Sequence, residues 1–283
     1  MIGRRASRSR PHVPRSPTRR FGMVLVVVLF AVASYYLGTK RKDNPITEET
    51  QRMSVEQEIA LGLQAAPQMA QQHGGLHADA EAQRAIDEIG ERIVARSAAG
   101  RTPYRFDFHL LADDRTINAF ALPGGQIFIT AGLAGRLRTE GEIAGVLAHE
   151  VGHVVGRHAA EQMAKAQRTQ GLASAAAIAA YDPGNPAGAG YEQIAALITQ
   201  AVTMKYGRDD ELQSDALGVQ FMAAAGYDPR ALVGVLQALE AAAGGSRSPE
   251  FFSTHPNPER RVEHIEQAIR EAFPERLPEG LVP

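Results

Sequence analysis

The sequence predicts an α+β fold that is mainly α, with a small sheet or hairpin beside one histidine-bearing helix. Three observations predict it. Helical periodicity fills most of residues 45–275. One short region, residues 104–130, instead alternates apolar and polar side chains around turn glycines. A Thr139-x-x-Glu142 cap then opens a helix whose middle reads VLAHEVGHVVGRHAAEQ.

The elements follow in order. Thr47 to Gln72 reads as a helix with a break near Pro67, closed by His73-Gly74-Gly75. Residues 79–96 place Ile86, Ile89, Ile93 and Val94 on one helical face. Tyr104 to Leu110 alternates as a half-buried strand, and Ile117–Leu122 with Gln126–Thr130 form a hairpin around Pro123-Gly124-Gly125. After the Thr139 helix comes a small-residue run at 171–180 and a Gly/Pro loop at 181–190. Helices are expected at about 191–206, 209–225, 229–243 and 258–272.

The chain of 283 residues has a net charge of −2, which hides an asymmetry. Residues 1–42 hold ten Lys/Arg and no acid, so the rest carries 20 basic and 32 acidic residues, a net of −12. A body that acidic excludes nucleic acid as the expected partner. Seven arginines among Ser and Pro make residues 1–20 a disordered basic segment. Residues 21–38 follow without a charge, just long enough to span a bilayer. Basic residues on both sides, heaviest before the span, predict a cytoplasmic N-terminus and an extracytoplasmic body, the periplasmic side of a bacterial inner membrane. Two alternatives stay open: Ala31-Val32-Ala33 has the form of a signal-peptidase site, and the acid-free, Arg-rich leader also suits mitochondrial import. With no cysteine, disulfides, thiolate metal sites and cysteine nucleophiles are excluded.

His149 and His153 lie four positions apart, roughly 40° around a helix axis, so both imidazoles face one ion. Glu150 sits at the edge of that face, placed to take a proton from an activated water. Three protein ligands and one open position make a catalytic zinc arrangement. The run nearly completes HExxHxxGxxH, but Ala159 stands where a third histidine would be. His158, nine positions from His149, falls roughly 180° away if the helix continues, and HAAEQMAK reads as uninterrupted helix. His158 is therefore expected to face solvent. A later acidic pair, Glu211 and Asp215, shares a helix face. Glu211 is the expected third ligand, and Asp215 would orient a ligand histidine through its distal N–H.

With these residues in place, the chain resembles the M48 family of zinc metallopeptidases, most closely its small, membrane-associated, Oma1-like quality-control members. The segments MSVEQEIALG, INAFALPGGQIFITAGL, GVLAHEVGHVVGRH, YGRDDELQSDALG and STHPNPERRV carry the resemblance over about residues 45–270. Gly207 and Ser214 depart from the usual residues without removing a chemical group.

The resemblance implies a zincin-type (gluzincin) domain over 45–275. It implies one Zn2+ held by His149, His153 and Glu211, with Glu150 as general base. It implies that the strand at Asn118, Ala119 and Phe120 holds a polypeptide substrate as an added strand. His255 and Arg261 would reach the active site, either stabilising an oxyanion or, for His255, capping the zinc at rest. The expected function is a membrane-tethered zinc endopeptidase acting on misfolded or unassembled polypeptides. A silent client-binding module and a peptidase with one dedicated substrate are the alternatives. Oligomeric state and natural substrate are not legible in the sequence.

Overall fold

The computed structural model describes residues 53–170, 203, 205–244, 249–257 and 260–283. The expected span at 21–38, the small-residue run at 171–180, the loop at 181–190 and most of the helix at 191–206 lie outside the described residues. Among the described residues no helix is long and apolar enough to cross a membrane. All of the described residues fall in one unit, Arg52–Pro283.

The first helix, α1, spans Val55–Gln72. It starts later than the periodicity suggests because Ser54 and Gln57 form a reciprocal capping box, Gln57 N to Ser54 Oγ at 3.3 Å and Ser54 N to Gln57 Oε1 at 2.9 Å. Pro67 does not break it. The carbonyl that loses its amide partner there belongs to Leu63, which is exposed, so water can replace the lost bond. Next comes α2, Ala80–Arg96, capped by the Asp79 carboxylate, and a 3-10 turn over Ala98–Arg101.

Three strands follow: β1 Asp107–Leu111, β2 Ala119–Ala121 and β3 Gln126–Thr130, in sheet order β1-β3-β2. The hairpin β2–β3 is antiparallel, with Phe120 opposite Phe128, whereas β1 pairs with β3 in parallel. Its turn uses Gly124 at φ 86° and Gly125 at φ 111°, backbone that a side chain would strain. Period-two alternation splits the sheet between two cores. Phe108, Leu110, Ala119, Ala121, Ile127 and Ile129 join the main core with α2 and the histidine helix. Leu111, Phe120, Leu122 and Phe128 pack on α1 and Met163 instead.

After the single turn α3, Ala131–Ala134, the histidine helix α4 spans Glu140–Val155 and is buried over nearly its whole length. Thr139 caps it, its Oγ1 accepting from Glu142 N at 3.1 Å. The expected reciprocal half is displaced: Glu142 accepts from Arg138 N at 2.6 Å rather than from Thr139. Four further helices are α5 His158–Gln170, α6 Arg208–Ala225, α7 Ala231–Ala243 and α9 Arg261–Ala272, with the short turn α8, Phe251–Thr254, before the last. The α4 and α6 helices cross closely, with Gly152 and Gly218 at the contact, and this crossing brings the two halves of the site together.

Candidate metal centre

The 3.6-residue repeat of α4 stacks His149 over His153, both at most 2% exposed, with Nε2 atoms 3.0 Å apart. The α6 helix supplies Glu211, whose Oε2 lies 3.6 Å from His149 Nε2 and Oε1 3.5 Å from His153 Nε2. The fourth member is His255, the residue ending α8, with Nδ1 3.0 Å from Glu211 Oε1 and 3.4 Å from His149 Nε2. The four side chains form a buried group whose ligand atoms all lie within 4.8 Å of one another. A tetrahedral ion with bonds of about 2.0–2.1 Å needs ligand atoms about 3.3 Å apart, and the closest pairs here, at 3.0–3.6 Å, suit a metal ion of that size.

Charge supports the fit. Glu150, Glu211 and Asp215 are buried with one guanidinium, Arg261, and with His255, which burial would lower but Glu150 and Glu211 raise above the ordinary imidazole value; a divalent cation could replace the positive charge these carboxylates draw in. Both Glu150 carboxylate oxygens are buried without a hydrogen-bond partner. Burial raises the Glu150 carboxyl above its ordinary range, opposed by the nearby His255 and His149. Burial alone would also raise Glu211, but His255, His153 and His149 hold it well below the usual carboxylate range, so it is ionised. His153 is held well below the usual imidazole value, chiefly by burial, and is neutral as a ligand must be.

Asp215 stands one turn after Glu211 and lies 2.9 Å from His149 Nδ1. Arg261, the first residue of α9, donates to Asp215 from Nε at 2.8 Å and from Nη2 at 2.9 Å. Its Nη1 lies 3.1 Å from Glu211 Oε2, a charge contact without hydrogen-bond alignment. Arg261 thus stands behind the ligands and compensates their carboxylates. His255 is clamped by stacking on Phe251, ring centroids 4.3 Å apart, and its Nε2 lies 3.6 Å from Glu150 Oε1.

The segment Asn118, Ala119 and Phe120 forms an edge of the sheet among the described residues. Its side chains are buried: Phe120 stacks on Phe128 at 5.0 Å, and Asn118 Nδ2 donates to Glu250 at 3.3 Å. Any contact with an incoming chain there would be made by backbone.

One expectation is overturned. His158 does not face solvent; it is 1% exposed. The α4 helix stops at Val155, and Arg157 turns into the left-handed region at φ 58°, so α5 starts afresh at His158. That turn swings the imidazole under His153, with the two Nδ1 atoms 2.8 Å apart. Sequence reasoning also passed over Tyr206, whose ring stacks on His153 at 4.0 Å. No local signal distinguishes Tyr206 from a core aromatic, whereas a third histidine in the run, five places after His153, was a signal for His158.

The profile of peptidase family M48 matches residues 80–269. The chain belongs to peptidase family M48. This M48 chain is 33% identical over 217 residues to the beta-barrel assembly-enhancing protease of Yersinia pestis, covering 74% of the chain and 43% of that relative. It is 30% identical over 188 residues to the mitochondrial metalloendopeptidase OMA1 of Schizosaccharomyces pombe, covering 66% of the chain and 53% of the relative. The beta-barrel assembly-enhancing protease of Escherichia coli K12 is 31% identical over 182 residues, covering 62% of the chain and 37% of the relative. The chain therefore spans about half, or less, of the length of these relatives.

Proposed function

We propose that the chain is a zinc-dependent endopeptidase, tethered to a membrane through residues 21–38, that hydrolyses misfolded or unassembled polypeptides. Residues 45–275 form its peptidase domain and residues 1–20 its basic leader. The observation that carries the reading is the set of His149, His153, Glu211 and His255 donor atoms at 3.0–3.6 Å with Glu150 beside them. The printed names of the relatives, a beta-barrel assembly-enhancing protease and a mitochondrial metalloendopeptidase, support the same class.

Zinc, when bound, supplies Lewis acidity toward water and the scissile carbonyl. The chain's own residues do the rest. Glu150, without a hydrogen-bond partner among the described residues and with its proton affinity raised by burial, accepts the proton of the attacking water at its carboxylate and returns it to the leaving amine. Asp215 and Arg261 hold the ligand side from behind, and β2, an edge strand among the described residues, offers backbone for an extended substrate. His255 stands where a fourth donor would stand, which supports a capped resting site rather than an oxyanion role. The same observation favours, as a second reading, a site opened only for a dedicated substrate.

The test uses the full chain in detergent, wild type beside Glu150→Gln. Zinc content and hydrolysis of an unfolded protein such as casein are measured. Equal zinc, with turnover only in the wild type, is the expected result; full turnover in Glu150→Gln would sink the mechanism.

A further inference from the structure

His158 is a buried polar side chain that the mechanism above does not use. Its Nδ1 lies 2.8 Å from Nδ1 of His153, and its Nε2 lies 2.7 Å from Gln213 Oε1 on α6. Among the described residues, His158 is the only hydrogen-bond partner of His153 Nδ1. The backbone is built to bring the ring there. A Cβ at Gly156 would stand 2.5 Å from His158 Nε2, and Arg157 takes a left-handed conformation at φ 58° to turn the chain.

These contacts fit the set of proton positions that a metal ligand needs. Gln213 Oε1 can only accept, so His158 Nε2 carries a proton. With the proton there, His158 Nδ1 can accept from the facing Nδ1 of His153, which is the arrangement a metal at His153 Nε2 requires. That leaves His153 Nε2 without a proton and directed at His149 and Glu211. We infer that His158 is a positioning residue: with Gln213 it selects the His153 tautomer and ring orientation that present Nε2 to a metal. His149 receives the equivalent support from a carboxylate, Asp215, so the two ligand histidines are held by different chemistries.

The inference rests on the metal site proposed above, and the experiment separates the two. Zinc affinity is measured by chelator competition on the full chain as wild type, His158→Ala, His158→Leu and His158→Asn, with the metal-free unfolding midpoint of each. Leu fills the space without an acceptor, whereas Asn can set its Oδ1 near the place of Nδ1. Ala and Leu are expected to weaken zinc binding by about 10–100-fold, and Asn to recover most of the loss. With 15N-labelled histidine, the Nδ1 proton of His153 is expected to exchange slowly in wild type and Asn, and rapidly in Leu.

Leu binding zinc as tightly as wild type would overturn the inference, because packing alone would then suffice. Asn as weak as Leu, with both folded, would also overturn it. If Ala does not fold, the Leu–Asn comparison decides. A wild type that binds no zinc would overturn the metal site itself.

Discussion

Gly152 on α4 faces Ser214 on α6 so closely that a Cβ on Gly152 would stand 2.7 Å from Ser214 Oγ and 2.9 Å from its carbonyl oxygen. Ser214 uses the proximity, its Oγ donating to the His149 carbonyl at 2.5 Å. The contact sets the distance between the helix that bears the two histidines and the helix that bears Glu211.

Gly152→Ala therefore sets helix propensity against packing. Alanine gains about 1 kcal/mol in a helix interior, but overpacking costs typically about 1–3 kcal/mol. The added methyl meets backbone, which cannot rotate away, so packing wins. Chemical denaturation is expected to report a net loss of stability, and zinc content a loss of binding as Glu211 moves out.

Asp215→Asn tests the carboxylate behind His149. Asparagine keeps the shape but leaves Arg261 a buried cation whose one remaining ion pair among the described residues is Glu211. Zinc affinity should fall about 10–100-fold. Removing one partner of a buried ion pair costs on the order of 3–5 kcal/mol, read as a lower denaturation midpoint.

Arg157 links the end of α4 to the start of α1. Its guanidinium reaches Glu58 Oε1 at 2.5 Å and the Met53 carbonyl at 2.6 Å, and Glu58 is 2% exposed. Burial raises the Glu58 carboxyl, and Arg157 is the main group opposing it. Arg157→Ala should cost about 1–3 kcal/mol for the partner left unsatisfied. Arg157→Gly should cost about 1 kcal/mol less than Ala, because glycine takes the left-handed backbone without penalty. Urea denaturation of the two variants checks the order.

Asp113 predicts a pH dependence away from the metal. Its partial burial would raise the carboxyl, but hydrogen bonds from the Thr116 side chain and the Thr116 and Arg115 amides, together with His73, bring it down to about 2. A carboxyl depressed on folding adds stability above its unfolded value, near the ordinary 3.8, and that contribution disappears as pH falls toward the folded value. Asp113→Asn should flatten the unfolding midpoint against pH between about 4 and 2 relative to wild type. Identical acid limbs would refute it.

Much of the site was legible because its parts are periodic. Backbone hydrogen bonding sets the 3.6-residue repeat locally, so the shared face of His149 and His153, the place of Glu150 at its edge and the shared face of Glu211 and Asp215 follow from spacing, although an acidic pair at that spacing does not by itself mark a site. The hairpin around Gly124 and Gly125 was legible for the same kind of reason, since few residues accept that backbone. The resemblance to family M48 added His255 and Arg261 as neighbours of the site, but not their contacts.

Tertiary structure decided what spacing could not. Pro67 stays within α1, where Leu63, whose carbonyl loses its amide partner, is exposed, and β1 joins the hairpin in parallel, a direction that period-two alternation leaves open. The clearest case is His158. Extrapolated along a continuous helix it faces away from the metal ligands; in the fold it lies beneath His153. The difference is made at Arg157, held in a left-handed turn by Glu58 and Met53, about a hundred residues earlier in the chain. Helical repeats are written into adjacent residues, but the place where a helix stops depends on distant partners that hold the break.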